Sequence, residues 1–457
     1  MDNVLIDISF YVIFASIPFL AMELLPYSGV SLRRFSIPSV FIIFYFFSAY
    51  VGILPLYFQW DPYRVTLGVV DRTILLKMLL YSGAALIMTI LGFIYGRQVI
   101  GFNQGGEEYE GLTGANRKQR VFIFFLMLLC GWILVEYIRR IETIALFKVL
   151  AGDMKGALEA RSRMSNAFEG KYWHFRIFFR TLLDYCVILF FADYLIKRRR
   201  ISGLVFGVGF LAAAFSATMG IEKGPFIYLL IMIYLAIVVS RGGKYWQPSA
   251  KYIAMVMGGS ITLFYIYFVG AENIRLLYYG IVGRVFMGQI TPAYFYLDLF
   301  PRHIDYLWGA SFPNPGGILP FHNYKLTMEV ASFMFPASFA TGIVGSAPTV
   351  YWAEIYANFG PIGILFSAFF VGIILFGVSH ILSKLRLSPP VLAATVTLAA
   401  HYTNLSGTSF SGYLFDTTLI AIATVTFVSL MLDGRRVFIG TGMQQAAETG
   451  DAPPHDQ

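Results

Sequence analysis

The chain has 457 residues, of which 57% are hydrophobic and 13% are charged, whereas a typical soluble domain is about 25% charged. Apolar runs of about 20 residues recur along its length, so the composition excludes a soluble globular protein and predicts an all-α polytopic integral membrane protein. The net charge of +8 is attributed to topogenic Lys/Arg and to contact with membrane lipids, and no nucleic-acid partner is predicted.

The apolar runs predict about eleven transmembrane helices in a single polytopic membrane domain, residues 1–438. The first run is too long for the core of a signal peptide, and no small-residue cleavage site follows it, so it is expected to stay as a span. The candidate spans cover roughly residues 4–25, 37–58, 73–95, 121–138, 177–196, 201–219, 225–240, 252–270, 351–382, 390–405 and 413–432.

The basic hinge "KRRR", 197–200, fixes the orientation, because short Lys/Arg-rich loops stay cytoplasmic. Alternation from this hinge places the amino end outside. The loops expected inside are 27–36, 96–120, 241–251 and 383–389, together with the carboxyl end. Residues 439–457 are predicted to form a disordered cytoplasmic tail. Two large periplasmic loops are predicted, at about 139–176 and 271–350.

The first large loop is unusually basic for an outside loop, with eight Lys/Arg against four Asp/Glu in 139–176. Apolar residues at helical spacing predict an amphipathic surface helix over 141–150. Arg161 and Arg163 follow it, and both could reach lipid phosphates from the interface. The alternative is that these charges form only a solvated surface.

The second large loop, 271–350, is rich in aromatic residues and contains the rigid turn "FPNPGGILPFHN". Sugar rings stack on aromatic faces, so Tyr294, Trp308 and Tyr324 are candidate sugar-binding residues; the alternative is an aromatic belt at the membrane interface. The segment 326–345 is apolar but is broken by an acidic residue and a proline. It is predicted to be re-entrant or interfacial rather than a full span.

Charged residues near this loop are the candidates for chemistry. Arg275 and Arg284 follow a predicted span, and His322 and Glu354 lie where the loop meets the spans. Lys223, in the turn "GIEKGPF", could lie at the edge of a lipid-phosphate site. The alternatives are snorkelling side chains and structural ion pairs. His401 is expected to be an interhelical hydrogen-bonding residue rather than a catalytic group.

Several motifs are missing from the sequence. It has no phosphate-binding P-loop, no His/Cys metal constellation and no acidic D-x-D pair in an outside loop. Any chemistry is therefore expected to use no cofactor and no metal, and to occur at the outer face.

Four segments resemble the O-antigen polymerase family, the bacterial oligosaccharide repeat-unit polymerases, over roughly residues 140–430. They are "YWAEIYANFGPIGILFSAFFVGIILF" at 351–376, "GIEKGPFIYLLIMIYL", "GRVFMGQ", and "ALEARSRMSNAFEGKYWHFRIFFRTLLDY" ahead of "KRRR". The resemblance implies a GT-C-like glycosyltransferase of the bacterial inner membrane. It would be metal-independent and inverting, and would polymerise undecaprenyl-pyrophosphate-linked oligosaccharides at the periplasmic face for O-antigen, capsule or exopolysaccharide.

Under that resemblance, Arg161, Arg163, Lys223, Arg275 and Arg284 are the candidates for binding the substrate pyrophosphate, because arginine pairs with phosphate in a bidentate manner. His322 and Glu354 are candidate general bases, and Arg284 is also a catalytic candidate. A chain-length-regulating polysaccharide co-polymerase is a possible partner. The alternatives are an O-antigen ligase and a lipid-linked oligosaccharide flippase, which is a transporter.

Overall fold

A computed structural model describes residues 2–101, 113–164, 168, 172–248, 251–252, 254–256, 258–259, 262, 283–314, 317, 320–340 and 345–434. These residues form helices, turns and one isolated antiparallel bridge between Arg34 and Lys244. The predicted tail 439–457, most of the predicted span 252–270 and the candidate residue Arg275 lie outside the described residues.

The helices are numbered in chain order. They are α1 (Asp2–Ser28), α2 (Ile37–Tyr45), α3 (Ile53–Tyr57), α4 (Pro62–Thr66), α5 (Arg72–Ile100), α6 (Arg117–Arg140), α7 (Ala145–Leu150), α8 (Met154–Met164), α9 (Tyr172–Arg176), α10 (Leu183–Lys197), α11 (Arg200–Thr218), α12 (Lys223–Ser240), α13 (Thr291–Leu299), α14 (Leu326–Met334), α15 (Pro336–Ala340), α16 (Tyr351–Ser383), α17 (Pro389–Thr403) and α18 (Thr417–Met431). Wider π-helical turns occur at Phe46–Val51, Ile177–Leu182 and Gly283–Met287.

Six helical segments among the described residues are long and apolar enough to cross a membrane. They are Val4–Ser28, Ile37–Tyr57, Arg72–Ile100, Arg117–Arg140, Arg200–Thr218 and Tyr351–Ser383, and Gly224–Ser240 and Thr417–Met431 are shorter apolar helices. The prediction of a helical protein is confirmed over the described residues, and by their length and composition these helices could cross a membrane. The count of eleven spans stays a prediction.

The bundle is built around α5 and α16, whose backbones come into direct contact through glycine. A Cβ added to Gly372 would lie 2.2 Å from the carbonyl oxygen of Thr89 and 2.9 Å from the Cα of Gly92. Small residues permit this close approach, because lipid tails provide no hydrophobic force to press helices together and packing has to hold them.

Replacing Gly372 by alanine is expected to destabilise the protein by about 1–3 kcal/mol, because the new methyl group has no space between the two backbones. Gly377→Ala is the matched control on the same helix, since a Cβ there meets nothing within 4 Å. Thermal unfolding in detergent compares the two variants. Equal melting temperatures would mean that α5 and α16 do not pack as closely as described.

Helix α16 is two helices joined by a reversal at Gly360, which adopts φ 69° and ψ −162° and precedes Pro361. In the first half, 351–359, the hydroxyl of Tyr351 lies 3.3 Å from that of Thr89, and Tyr356 then contacts Tyr81. This half is therefore antiparallel to α5.

The second half of α16, residues 361–383, runs parallel to α5. Gly372 contacts Gly92. One turn further along both helices, Phe376 of α16 contacts Gly96 of α5. A straight helix of 33 residues would be about 50 Å long, well above the ~30 Å hydrocarbon core. Because of the reversal, only the second half of α16 crosses the bundle. The first half, 351–359, is a re-entrant helix.

The described parts of the loops predicted to share the cytoplasmic side lie at one end of the bundle, the basic end. Loop 29–36 bonds to loop 241–245, with the Phe35 N–H donating to the Gly243 carbonyl at 2.7 Å. The Arg97 side chain donates to the Tyr27 carbonyl at 2.8 Å. Residues 113–116 contact Leu387, Leu432 and the end of α10. The described parts of 141–171, 219–222, 283–350 and 404–416 lie at the opposite end.

At this opposite end, α7 and α8 fold onto the bundle as a small second core with Tyr137. The predicted surface helix over 141–150 begins only at Ala145, because Ile141 and Ile144 have extended backbones. Ala145 and Val149 of this helix are buried, but Phe147 and Leu150 are exposed, so the outward face of the short helix is also apolar. The segment 326–345 forms two short helices, α14 and α15, separated at Phe335, so it is not a full span over its described residues.

Candidate functional site

A polar cavity of about 270 Å³ opens at the end of the bundle opposite the basic end. Sites for small molecules span about 300–1,000 Å³, so this cavity suits a ligand of roughly one ring rather than a large molecule. Most of its lining side chains carry hydroxyl, amide or charged groups. They are Tyr296, Ser311, Asn323, Tyr324, Lys325, Leu326, Thr327, Met328, Pro348, Thr349, Glu354, Thr408, Ser409 and Ser411.

Glu354 is the buried carboxylate of this cavity, with 6% of its surface exposed. The re-entrant half of α16 carries it in its first turn, where the helix dipole favours a negative charge. Its Oε2 accepts the Ser411 N–H at 3.0 Å, and its Oε1 accepts the Ser411 hydroxyl at 2.6 Å. The Ser311 hydroxyl donates to Oε1 at 3.4 Å. The carboxylate therefore joins the large loop to the loop between α17 and α18.

Asn358, one turn after Glu354, fixes the other end of the re-entrant helix. Its Oδ1 accepts the Gly309 N–H at 2.9 Å, and its Nδ2 donates to the Ser311 hydroxyl at 2.7 Å. The Trp308 N–H donates to the Asn358 carbonyl at 3.0 Å. These bonds satisfy the last carbonyls of a helix that ends inside the protein. They also hold the position of Ser311 beside Glu354.

The three predicted sugar-binding residues lie in different places. Tyr324 lines the cavity, and burial, together with the nearby Glu329 charge, raises the pKa of its phenol, so the hydroxyl stays protonated and can donate. Trp308 lies outside the cavity and is 75% exposed. Tyr294 is buried away from the cavity, and its hydroxyl accepts the Asp71 N–H at 3.1 Å.

Of the two predicted general bases, Glu354 lines the cavity and His322 does not. His322 is exposed on the turn that leads into Tyr324. The two residues therefore remain separate candidates, and only Glu354 faces a described space that a ligand could enter. His401 lies with its Nε2 3.3 Å from Oδ1 of Asp416, which brings the end of α17 next to the start of α18, and the predicted interhelical hydrogen bond stays a prediction.

Arg284 belongs to the wide turn Gly283–Met287, whose backbone is firmly held; its side chain is outside the described part of the chain. Arg64 donates to the Gly283 carbonyl at 2.9 Å and to the Thr291 hydroxyl at 2.8 Å, and it pairs with Asp61. A Cβ at Gly52 would lie 2.1 Å from the Phe286 carbonyl oxygen. Both contacts fix the path of the turn.

A second cluster at the same end brings together three arginines and an acid. Arg161 of α8, Arg176 of α9, Arg180 of the following π-helical turn and Glu222 before α12 line a space of about 20 Å³. All four side chains are half-buried. A space of this size holds about one water molecule, so the cluster is closed in this conformation.

Of the other predicted pyrophosphate ligands, Arg163 is the one whose side chain the structure describes, and it does not line this cluster. Arg163 is exposed and forms an ion pair with Glu142 at 2.8 Å. Lys223 begins α12 directly after Glu222, but its side chain is not among those described.

The sequence analysis missed most of the residues of both sites. The loop "NLSGTSFSG", 404–412, contributes Thr408, Ser409 and Ser411 to the cavity, and its density of small hydroxyl residues between two apolar helices was the available signal. Arg176 and Arg180 were also missed as ligands. Their spacing of four residues at the start of an apolar helix places them on one face, which could have indicated them.

No group of three or more His, Cys, Asp or Glu side chains that could hold a metal ion occurs in the part of the chain that the structure describes. Comparison with protein-family models, with curated proteins and with solved structures finds no match to this chain.

Proposed function

We propose that this chain is a membrane glycosyltransferase that polymerises undecaprenyl-pyrophosphate-linked oligosaccharide repeat units. The observation that carries the proposal is the position of Glu354, a buried carboxylate in a hydroxyl-lined cavity at the end of the bundle away from the basic loops. By the positive-inside rule, that end would face the periplasm of a bacterial inner membrane. The resemblance of the re-entrant segment 351–376 to repeat-unit polymerases supports the same assignment.

The cavity would bind the non-reducing end of the incoming repeat unit. Hydroxyl and amide side chains can exchange hydrogen bonds with sugar hydroxyls, and Tyr324 would orient the ring. Glu354 would accept the proton of the acceptor hydroxyl as its oxygen attacks the anomeric carbon of the donor. The bond from that carbon to the lipid pyrophosphate breaks, and the pyrophosphate leaves with the electron pair. The configuration at the anomeric carbon is inverted.

The arginine cluster would stabilise the leaving pyrophosphate. Arg161, Arg176 and Arg180 can form bidentate bonds to phosphate oxygens, and Glu222 partly balances their charge in the closed conformation. Helix α12, which follows Glu222, packs against α17, which leads into the cavity loop 404–412. Because the closed space holds about one water, donor binding requires α8 to move outward. Lys223, Arg163, Arg275 and Arg284 remain further candidates for this role.

The finer architecture belongs to the same proposal. The six long apolar helices, the two shorter apolar helices and the buried helices α10 and α17 would make ten membrane segments in a GT-C-like arrangement, and the predicted span 252–270 would be the eleventh. The re-entrant half of α16 fits this reading, because non-spanning backbone at membrane depth is tolerated where it lines a cavity.

The test uses the purified chain in detergent with a lipid-pyrophosphate-linked repeat unit of the host strain, without nucleotide and with a chelator present. Products are separated on a gel. A ladder spaced by one repeat unit is expected, and it would exclude transport as the only activity. A product formed only after addition of lipid A–core would identify a ligase instead. No product in either reaction, with lipid-linked substrate crossing a vesicle membrane, would identify a flippase.

Arg284→Ala is expected to abolish the ladder while the protein still inserts and elutes as a single species. The reason is that the turn carrying Arg284 is fixed by Arg64 beside the loops that form the cavity. Arg302→Ala is a suitable control, because Arg302 is exposed in the same large loop and pairs only weakly with Asp298. A normal ladder from the Arg284 variant would remove this residue from the mechanism.

A further inference from the structure

Trp308 has an unusual backbone for a large side chain. Its φ is 49°, in the left-handed region that non-glycine residues seldom adopt. Hydrogen bonds on both sides keep it there: the N–H groups of Leu307 and Trp308 donate to the carbonyls of Ala357 and Asn358, each at 3.0 Å. Strained positions of this kind concentrate at functional sites.

The result of this strain is an indole that projects outward. Trp308 is 75% exposed, although a side chain of this size would ordinarily be placed to cover apolar surface. Phe359, at the end of the re-entrant helix, is 38% exposed, and its ring lies 6.5 Å from that of Trp308. The two rings are nearly perpendicular, at 71°. They form an exposed corner with two aromatic faces.

This corner is connected to the wall of the cavity. The ring of Phe312 lies 5.9 Å from that of Phe359 and 6.2 Å from that of Phe410. Phe312 directly follows Ser311, and Phe410 directly precedes Ser411, so the two residues adjoin the two serines that bond to Glu354. A row of aromatic rings therefore leads from the exposed corner to the site of the carboxylate.

We propose that Trp308 and Phe359 form a second glycan-binding site, which holds a sugar of the growing chain away from the reacting end. The faces of pyranose rings carry C–H bonds that pack on aromatic rings, and an exposed corner admits a chain that continues in both directions. The inference rests on the proposed polymerase function. It adds a site whose occupancy keeps the product bound between additions and so sets product length.

A membrane-interface anchor is the competing role of an exposed tryptophan. An anchor needs only an indole at the right depth, and it gains nothing from a left-handed backbone fixed by hydrogen bonds to a neighbouring helix. The fixed orientation beside the cavity wall is what a binding site for a rigid ring requires.

The experiment compares Trp308→Asn with Trp308→Phe. Asparagine tolerates the left-handed backbone but lacks a ring, so the variant is expected to fold, whereas phenylalanine keeps an aromatic face. Trp246→Ala is the matched control, because Trp246 is 89% exposed at the basic end. Each variant is titrated into the free, lipid-less oligosaccharide of several repeat units, labelled with a fluorophore, while the fluorescence anisotropy of the label is recorded, and each is then assayed for polymer length.

We expect saturable binding of the labelled oligosaccharide to the wild type and to Trp246→Ala. Trp308→Asn should weaken this binding by about threefold to tenfold, and Trp308→Phe should partly restore it. The Asn variant should yield shorter products than the wild type.

Unchanged binding and unchanged product length in Trp308→Asn would overturn the proposal. So would quenching of Trp308 by bromine-labelled lipid tails with no response to oligosaccharide, which would identify an anchor. If no ladder forms with the wild type but oligosaccharide binding still depends on Trp308, the glycan site stands and the polymerase assignment fails.

Discussion

Glu354→Gln is expected to lower the rate of chain extension by about 10²–10⁴-fold, the usual contribution of a positioned general base. Glutamine has nearly the same shape, but its amide cannot take up the proton of the acceptor hydroxyl. Measuring single additions of a labelled repeat unit separates this chemical defect from changes in polymer length. Substrate affinity should change far less than the rate, because the other polar groups that line the cavity remain.

The same substitution also tests the structural role of the carboxylate. Glutamine can present its oxygen to the Ser411 N–H, but its amide nitrogen then replaces the oxygen that accepts the Ser411 and Ser311 hydroxyls, so the free energy of unfolding is expected to fall by about 1–2 kcal/mol. Glu329→Gln is the control, because Glu329 is exposed on α14 near the same cavity. A Glu354→Gln protein that is less stable but extends chains at the wild-type rate would make Glu354 a structural link only, and His322 would become the leading candidate base.

Arg180→Ala is expected to lower extension by about 10²–10³-fold, the effect of removing one preorganised donor to a developing oxyanion. The loss should appear mainly in the rate, because leaving-group charge grows as the bond to pyrophosphate breaks. Arg180 is the choice within the cluster because it sits on the helix that continues into the buried α10, whereas Arg161 lies on the surface helix α8. Extension assays with saturating donor provide the measurement.

Arg140→Ala is the matched control for this prediction. Arg140 is an exposed arginine at the same end of the bundle, and it pairs with Glu136 at 2.9 Å along one helix face. Removing it is expected to change extension by less than about twofold, since exposed pairs of this kind contribute little. If both variants lose activity equally, extension depends on the total positive charge at this end of the bundle and not on a pyrophosphate site.

The helical membrane class is predictable from the sequence because apolar runs of spanning length have few alternatives in lipid. The common end of the basic loops is predictable for a related reason, since charge distribution reports topology. The number of membrane spans is harder to predict from the sequence. The stretch 177–196 contains polar residues at its start that belong to the arginine cluster, and α17 is short, so hydropathy alone does not decide whether either crosses.

The site was only partly predictable. Glu354 stood out as an acid at the start of an apolar run, but the serines that bind it come from loops 43 and 57 residues away in the chain. Periodicity gives no information on such long-range pairs. The reversal at Gly360 was signalled by "NFGPIG", since a glycine followed by proline interrupts a helix, yet the sequence does not say that the chain turns back on itself there.

The re-entrant half of α16 also has a consequence for how the protein folds. Its contact between Tyr351 and Thr89 joins residues 262 positions apart, and the bond from Glu354 to Ser411 cannot form until the chain beyond α17 has been made. Such non-local contacts form slowly, and earlier segments must already be in place to receive them. The carboxylate site is therefore one of the last parts to assemble. A chain that ended after α16 could contain all of the earlier apolar helices and still lack this site.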